Sequence, residues 1–339
     1  MKMEAYDYDN NYTGTGLCNR DDDNYVGAQL ATLYYFMFVF SILGNGLVLV
    51  IIHRFEKLTT VTNILLLNLV LSSVIFMSSL PFLGVYMQLS TWIFGKVMCK
   101  IVGSVYYLGF YSSVLFLALL TFDRHLAVVY SLRMSHVRNR SYAVISCGVV
   151  WLVSGLACIR PMILHTASFY PLDNKTYYCD EDLSDRPNIN VDLLIASEPY
   201  LQLLFLIFPL VVIIYCYVRI AITVMSSKIV TKFKTVRLIF VIVLLFFICW
   251  TPYNIVKLMH DKVTDCEEGK RLGYALHFTR MMTYIYFCIS PIFYTFVGKK
   301  FQNYFRQLLV KRFPSLRHYV AVSQHSDINM STKSTRNVL

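Results

Sequence analysis

Leu238-Ile239-Phe240-Val241-Ile242-Val243-Leu244-Leu245-Phe246-Phe247-Ile248-Cys249-Trp250 carries no charged side chain. With its flanks it forms an apolar segment over 233–259, and about 20 apolar residues suffice to cross the hydrocarbon of a bilayer as a helix. Six more segments have the same character: 28–52, 62–88, 97–129, 142–165, 192–225 and 271–296. The third contains Tyr106–Leu120, which is almost uncharged. Composition agrees. Of 339 residues 56% are apolar and 15% charged, against about a quarter charged in a soluble chain. The expected fold is all-α, a seven-transmembrane helix bundle.

The connectors set the expected orientation. His53–Lys57 is basic, Arg133, Arg138 and Arg140 follow the third span, and Lys228, Lys232, Lys234 and Arg237 join the fifth to the sixth. Lys299, Lys300, Arg306, Lys311 and Arg312 follow the seventh. All fall on one side, which the positive-inside rule makes cytoplasmic. An odd number of spans then puts the amino tail outside, in a multi-pass protein of the plasma membrane. The net charge of +11 is explained by these inner loops, and no nucleic-acid partner is expected.

Four regions follow. Residues 1–27 form an extracellular tail with six acids, Glu4, Asp7, Asp9, Asp21, Asp22 and Asp23, against two bases, Lys2 and Arg20. No cleavable signal peptide is seen, so the first span is expected to act as the anchor. Residues 28–298 form the bundle. Residues 299–312 read as a short amphipathic helix on the inner surface, its apolar face of Phe301, Phe305, Leu308 and Leu309 meeting membrane lipids. Residues 313–339 form a polar cytoplasmic tail expected to be disordered. The triplets at Asn11 and Asn174 fit glycosylation acceptors in outer segments.

Cys147, Cys158, Cys216, Cys249 and Cys288 fall within spans and read as buried thiols. Cys18, Cys99, Cys179 and Cys266 fall in outer segments, where disulfides persist. Four cysteines allow three pairings, and the sequence alone does not choose.

Short motifs punctuate the spans in order. They are Gly44-Asn45 in the first, Asp123-Arg124-His125 closing the third and Trp151 in the fourth. Pro209 and Tyr217 follow in the fifth, Cys249-Trp250-Thr251-Pro252 in the sixth and Ser290-Pro291-Ile292-Phe293-Tyr294 in the seventh. Together these resemble the rhodopsin-like (class A) G-protein-coupled receptors over residues 28–312. Within that class Ser79-Leu80-Pro81, Trp92-Ile93-Phe94-Gly95, Trp250-Thr251-Pro252-Tyr253-Asn254 and Phe296-Val297-Gly298-Lys299-Lys300-Phe301 resemble chemokine receptors. Leu272-Gly273-Tyr274-Ala275-Leu276 with Arg280 is most similar to the XC (lymphotactin) type, with the CC and CX3C types close.

The resemblance implies a receptor, not an enzyme, without cofactor or metal, and the disulfides Cys99–Cys179 and Cys18–Cys266. Its partners would be a basic chemokine, a heterotrimeric G protein of the inhibitory type, and receptor kinases and arrestin at the tail serines and threonines. Tyr6 and Tyr8, beside Asp7 and Asp9, sit where that family sulfates tyrosine. With Tyr12, Asp21, Asp22 and Asp23 they would steer a basic ligand. Tyr106, Tyr107, Phe110, Trp250 and Tyr253 would floor the pocket. Glu198, Lys257 and Arg280 are costly charges within spans and are expected to face it, although the stem of Lys257 also suits snorkelling to headgroups. Glu198 would take a cationic ligand tip, and Arg280 an anionic or carbonyl-rich one. At the inner end Arg124 is expected to pair with Asp123 at rest, with His125 beside it. Tyr217 and Tyr294 would hold the open state, Phe246 and Trp250 relay the signal, and Pro252 and Pro291 bend their helices.

Two positions depart from the family pattern. Ser73 stands where it carries Asp, and Ser290 where its span-seven motif carries Asn. The family's sodium cavity would therefore be weak or lost. That favours, as alternative, an atypical scavenging receptor with weak G-protein signalling. A class A receptor for a small anionic ligand is a second alternative. Tyr106 in place of an acid argues against amines, and Tyr284 in place of lysine against retinal. No broken-helix repeat suggests a transporter.

Overall fold

The structure, a computed structural model, describes residues 21–55, 60–130, 138–169, 176–181, 191–227, 233–260, 263, 265–297 and, beyond these, 304, 305, 307, 310 and 312. Its elements run α1 (Asp21–Phe55), α2 (Val61–Met77), α3 (Leu80–Leu89), α4 (Gly95–Val129), α5 (Arg140–Ala157), α6 (Ile159–Leu164), β1 (His165–Phe169), β2 (Tyr177–Glu181), α7 (Val191–Ser227), α8 (Phe233–His260) and α9 (Cys266–Val297). The seven expected spans correspond to α1, α2 with α3, α4, α5 with α6, α7, α8 and α9. The amphipathic inner helix falls largely outside the described residues, although Tyr304, Phe305, Gln307, Val310 and Arg312 are helical.

Six helical segments are long and apolar enough to cross a membrane: Leu30–Arg54, Val61–Leu89, Gly95–Val129, Arg140–Leu164, Ser197–Met225 and Ile239–His260. The seventh helix, α9, is as long but more polar, opening on Glu267 and Glu268 and carrying Arg271 and Arg280. It packs on α8 and α1, and its inward side chains Thr283, Tyr284, Phe287 and Ser290 are buried among helices. By contrast Phe208, Val211, Ile214 and Ile222 on α7 are exposed to the space a bilayer would fill.

Local chemistry explains where spans bend. The second breaks between α2 and α3, where Pro81 lacks the N–H that would continue the helical ladder. Ser78 and Ser79 hydroxyls donate to the carbonyls of Ile75 at 2.7 Å and Phe76 at 2.8 Å, satisfying backbone that lipid would not. Pro291 likewise frees the Phe287 carbonyl in α9. That oxygen accepts from Asn45 Nδ2 and Ser41 Oγ of α1, each at 3.4 Å. Gly44 makes this approach possible, because a Cβ there would already lie 3.2 Å from the Pro291 ring. The Gly44-Asn45 motif thus fastens the first span to the seventh at its proline.

The core lies around α4, which touches α2, α5, α6, α7, α8 and both strands. Among the described residues, two strands accompany the helices of the expected all-α bundle. They form an antiparallel hairpin in which Ala167 faces Cys179. Cys179 is bonded to Cys99 at the start of α4, with Cα atoms 5.6 Å apart, as the resemblance implied. Trp92 N donates to Tyr177 O at 2.8 Å and Trp92 Nε1 to Gly95 O at 2.9 Å, so the first outer loop is tied to the same hairpin. Gly95 has φ 75°, a left-handed conformation suited to glycine.

Candidate functional site

A cavity of about 590 Å³ opens between the hairpin and the outer ends of α3, α4, α7, α8 and α9. Tyr106, Tyr107, Tyr253, Glu198, Lys257 and Arg280 line it, as the sequence suggested. Phe110 and Trp250 do not. They lie beneath, stacked with ring centroids 4.2 Å apart, and Phe246 continues the stack below Trp250 at 5.7 Å. These three large rings fill the volume between α4 and α8, so a ligand meets the tyrosines above them first.

Glu198 is not the free carboxylate expected for a cationic ligand. Its Oε1 accepts from Tyr107 Oη at 3.2 Å, from Gln202 Nε2 at 2.9 Å and from Lys257 Nζ. Its Oε2 accepts from Arg160 at 2.9 Å. A carboxylate has about four acceptor sites, so Glu198 is saturated within the protein. Lys257 does not snorkel. Its ammonium is turned inward to Glu198 and to Tyr107 Oη at 2.8 Å.

Arg160, passed over in the sequence, is the hub of this network. It grips Glu181 of β2 with two bonds of 2.8 Å and extends to Glu198. The signal was available: it is the sole Lys, Arg, Asp or Glu between 142 and 165. Glu181 and His165 complete the cluster. His165 Nδ1 donates to Pro161 O at 2.9 Å and lies 3.8 Å from Glu181. Burial lowers the pKa of His165 from its ordinary value of 6.5, although nearby Asp180 opposes the shift. Burial, and then the Glu198 charge, raises the pKa of Glu181 from 4.5, against the pull of Arg160. Two acids and two bases, Glu181, Glu198, Arg160 and Lys257, therefore balance while tying the hairpin to the fourth, fifth and sixth spans.

Arg280 stands apart. Its guanidinium lies over the Tyr253 ring, 5.9 Å from the centroid, and its Nε is buried without a hydrogen-bond partner. Among the described residues no carboxylate reaches it.

At the other end of the bundle Asp123 is fully buried. Its main partner is not the adjacent arginine. Arg138, just before α5, binds it through Nε at 2.8 Å and a terminal nitrogen at 2.9 Å. Arg124 makes the expected but looser ion pair with it at 3.7 Å and also donates to Thr62 of α2, which itself donates to Asp123 at 3.2 Å. A planar guanidinium matches a carboxylate best when both its nitrogens engage, and the approach from the loop permits that. His125 is buried, its ring beside Tyr130 and Tyr215. Tyr217 packs on Phe240 of α8, with its buried hydroxyl turned to Thr121 of α4.

Ser73 and Ser290 are both buried, and each hydroxyl turns back to its own helix, to Leu69 O at 3.0 Å and Phe287 O at 3.5 Å. Pro252 and Pro291 lie inside α8 and α9. Tyr6, Tyr8, Asn11, Tyr12, Cys18 and Asn174 lie outside the described residues. So do the side chains of Asp21, Asp22, Asp23, Cys266 and Tyr294, although these five are helical.

A sequence model of the family described as "7 transmembrane receptor (rhodopsin family)" matches residues 44–294. C-C chemokine receptor type 3 of Cavia porcellus is 34% identical over 289 residues, covering 84% of this chain and 79% of the relative. C-C chemokine receptor type 1 of Homo sapiens is 34% identical over 301 residues, 87% of this chain and 83% of the relative. G-protein coupled receptor E1 of Equine herpesvirus 2 is 34% identical over 307 residues, 87% and 78% respectively. The helical bundle, the disulfide that pins its hairpin, and these matches agree: the chain is a multi-pass membrane receptor rather than an enzyme, and it belongs to the chemokine-receptor branch of the rhodopsin family.

Proposed function

We propose that the chain is a chemokine receptor of the plasma membrane, amino terminus outside. It binds a small basic chemokine and couples that binding to an inhibitory heterotrimeric G protein and so to cell migration. One observation carries the reading most: the ion network that walls the cavity also joins the hairpin to α6, α7 and α8. A ligand pressing on Glu181 or Lys257 would shift the balance between α6, α7 and α8. The Trp250–Phe246 stack below could pass that shift to the Asp123–Arg124 end. The acidic amino tail would gather the ligand first. Its tyrosines, if sulfated, would strengthen that step. Kinases and arrestin would act at Ser323, Ser326, Ser331, Thr332, Ser334 and Thr335.

A second reading, uptake of chemokine with little G-protein output, is favoured by Ser73 and Ser290, whose hydroxyls offer no carboxylate between α2 and α9. Expression in mammalian cells with a chemokine panel separates the two. Inhibition of cAMP together with arrestin recruitment by one chemokine supports the signalling receptor. Uptake without cAMP change supports the second reading. No binding by any chemokine to well-expressed receptor removes both and leaves a small anionic ligand.

A further inference from the structure

One end of the cavity contains hydrogen-bond donors with nothing to receive their protons. Arg280 and Tyr284 on α9 and Tyr106 on α4 line it, and Tyr34 of α1 packs behind, its ring edge-on to Tyr284 at 5.6 Å. Arg280 Nε and the hydroxyls of Tyr34 and Tyr284 are buried, and none has a hydrogen-bond partner among the described residues, while the buried Tyr106 hydroxyl reaches no group but that of Tyr253. Leaving one buried polar group unmatched costs about 1–3 kcal/mol, so three in one place need an explanation. Packing supplies none, because phenylalanine would fill the tyrosine positions without the unmet hydroxyls. The acids that could neutralise Arg280 are committed elsewhere: Glu198 is saturated and Glu181 is held by both Arg160 nitrogens. A guanidinium with three phenols is a donor set for an anion, and its planar fork suits a carboxylate.

We infer that this end of the cavity is a carboxylate-binding subsite, and that the ligand tip reaching it is acidic rather than a free amine. If the chain is a chemokine receptor as proposed above, the carboxylate is an acidic side chain near the ligand's penetrating end. If that reading is wrong, the same subsite takes a free aromatic or aliphatic acid. Rings at Tyr106, Tyr253 and Tyr284 favour an apolar neighbour beside the charge, and Glu198 with Lys257 closes the opposite wall.

The test uses full-length receptor in lipid nanodiscs, with phenylacetate and phenethylamine as probes of like shape and opposite charge. Phenylacetate should raise the thermal midpoint saturably, and phenethylamine should not. Arg280→Gln should weaken the phenylacetate response about tenfold or more, and Tyr284→Phe about threefold to tenfold. Tyr284→Phe removes only an unmatched hydroxyl, so its unliganded midpoint should not fall. It keeps the test valid if Arg280→Gln folds poorly. In cells, any chemokine that activates the wild type should lose potency at Arg280→Gln by a similar factor. A phenylacetate effect with no active chemokine supports the subsite and counts against the chemokine reading. An active chemokine insensitive to Arg280→Gln, a stronger effect of phenethylamine, or an unchanged phenylacetate effect in the variants overturns the inference.

Discussion

Glu198 on the fifth span holds Lys257 on the sixth, 59 positions along the chain, in an ion pair that also engages Arg160. All three side chains are largely buried. Breaking a buried pair by removing one partner leaves the other charge uncompensated and costs about 3–5 kcal/mol. Glu198→Gln is therefore expected to lower the thermal midpoint and surface expression sharply. The double variant Glu198→Gln with Lys257→Gln should recover much of the loss. A double variant as poor as the sum of the singles would mean the pair is not coupled.

His165 gives the outer cluster a pH dependence. Because its folded pKa is depressed below 6.5, the unfolded chain takes the proton first. Stability is thus full above pH 6.5 and falls as acid titrates the ring. Glu181, its pKa raised above 4.5, acts oppositely, favouring the folded state as pH falls toward 4.5. Lys257, Arg160, Asp180 and the Tyr107 ring share the site. Between pH 7.5 and 5.5 the midpoint of the wild type, at fixed scan rate, should drop more than that of His165→Gln. Equal drops would remove the ring from the account.

Arg138 and Arg124 compete for one carboxylate, and Arg138 holds it. Removing Arg138 should let Arg124 tighten its 3.7 Å pair with Asp123, the resting pair expected from the sequence. Agonist-stimulated nucleotide exchange on the G protein should then fall for Arg138→Gln, with ligand affinity little changed. Raised exchange would show that Arg138 restrains the receptor instead.

Ser73 leaves no carboxylate between α2 and α9, so exchanging sodium for potassium should not move the wild-type midpoint. Ser73→Asp should create a sodium-dependent rise, since a buried carboxylate attracts a cation that a hydroxyl cannot hold. A sodium effect already present in the wild type would contradict this.

Much of the bundle was legible because the bilayer imposes a length and forbids charges, so spans such as 233–259 and 97–129 match α8 and α4 within two residues. The hairpin was not, because five-residue strands leave little alternation to read and their partner is set by Cys99–Cys179. Arg160 was hidden inside an apolar span. Its role depends on Glu181 and Glu198, which lie 21 and 38 positions away. The Arg138–Asp123 pair was missed for a related reason: the nearest opposite charge in sequence, Arg124, is not the one whose geometry allows two bonds. Periodicity and hydropathy give position along the membrane. They do not say which charges meet.

The most direct test of the central claim, that chemokine binding at one end opens a G-protein site at the other, is nucleotide exchange with purified components. Receptor in nanodiscs, an inhibitory G protein and each chemokine of a panel would be mixed and exchange measured. The account predicts that at least one chemokine accelerates exchange on the inhibitory G protein, and that Arg124→Ala abolishes this while leaving chemokine binding intact. A chemokine that binds the receptor firmly without accelerating exchange on any G protein tested would contradict it.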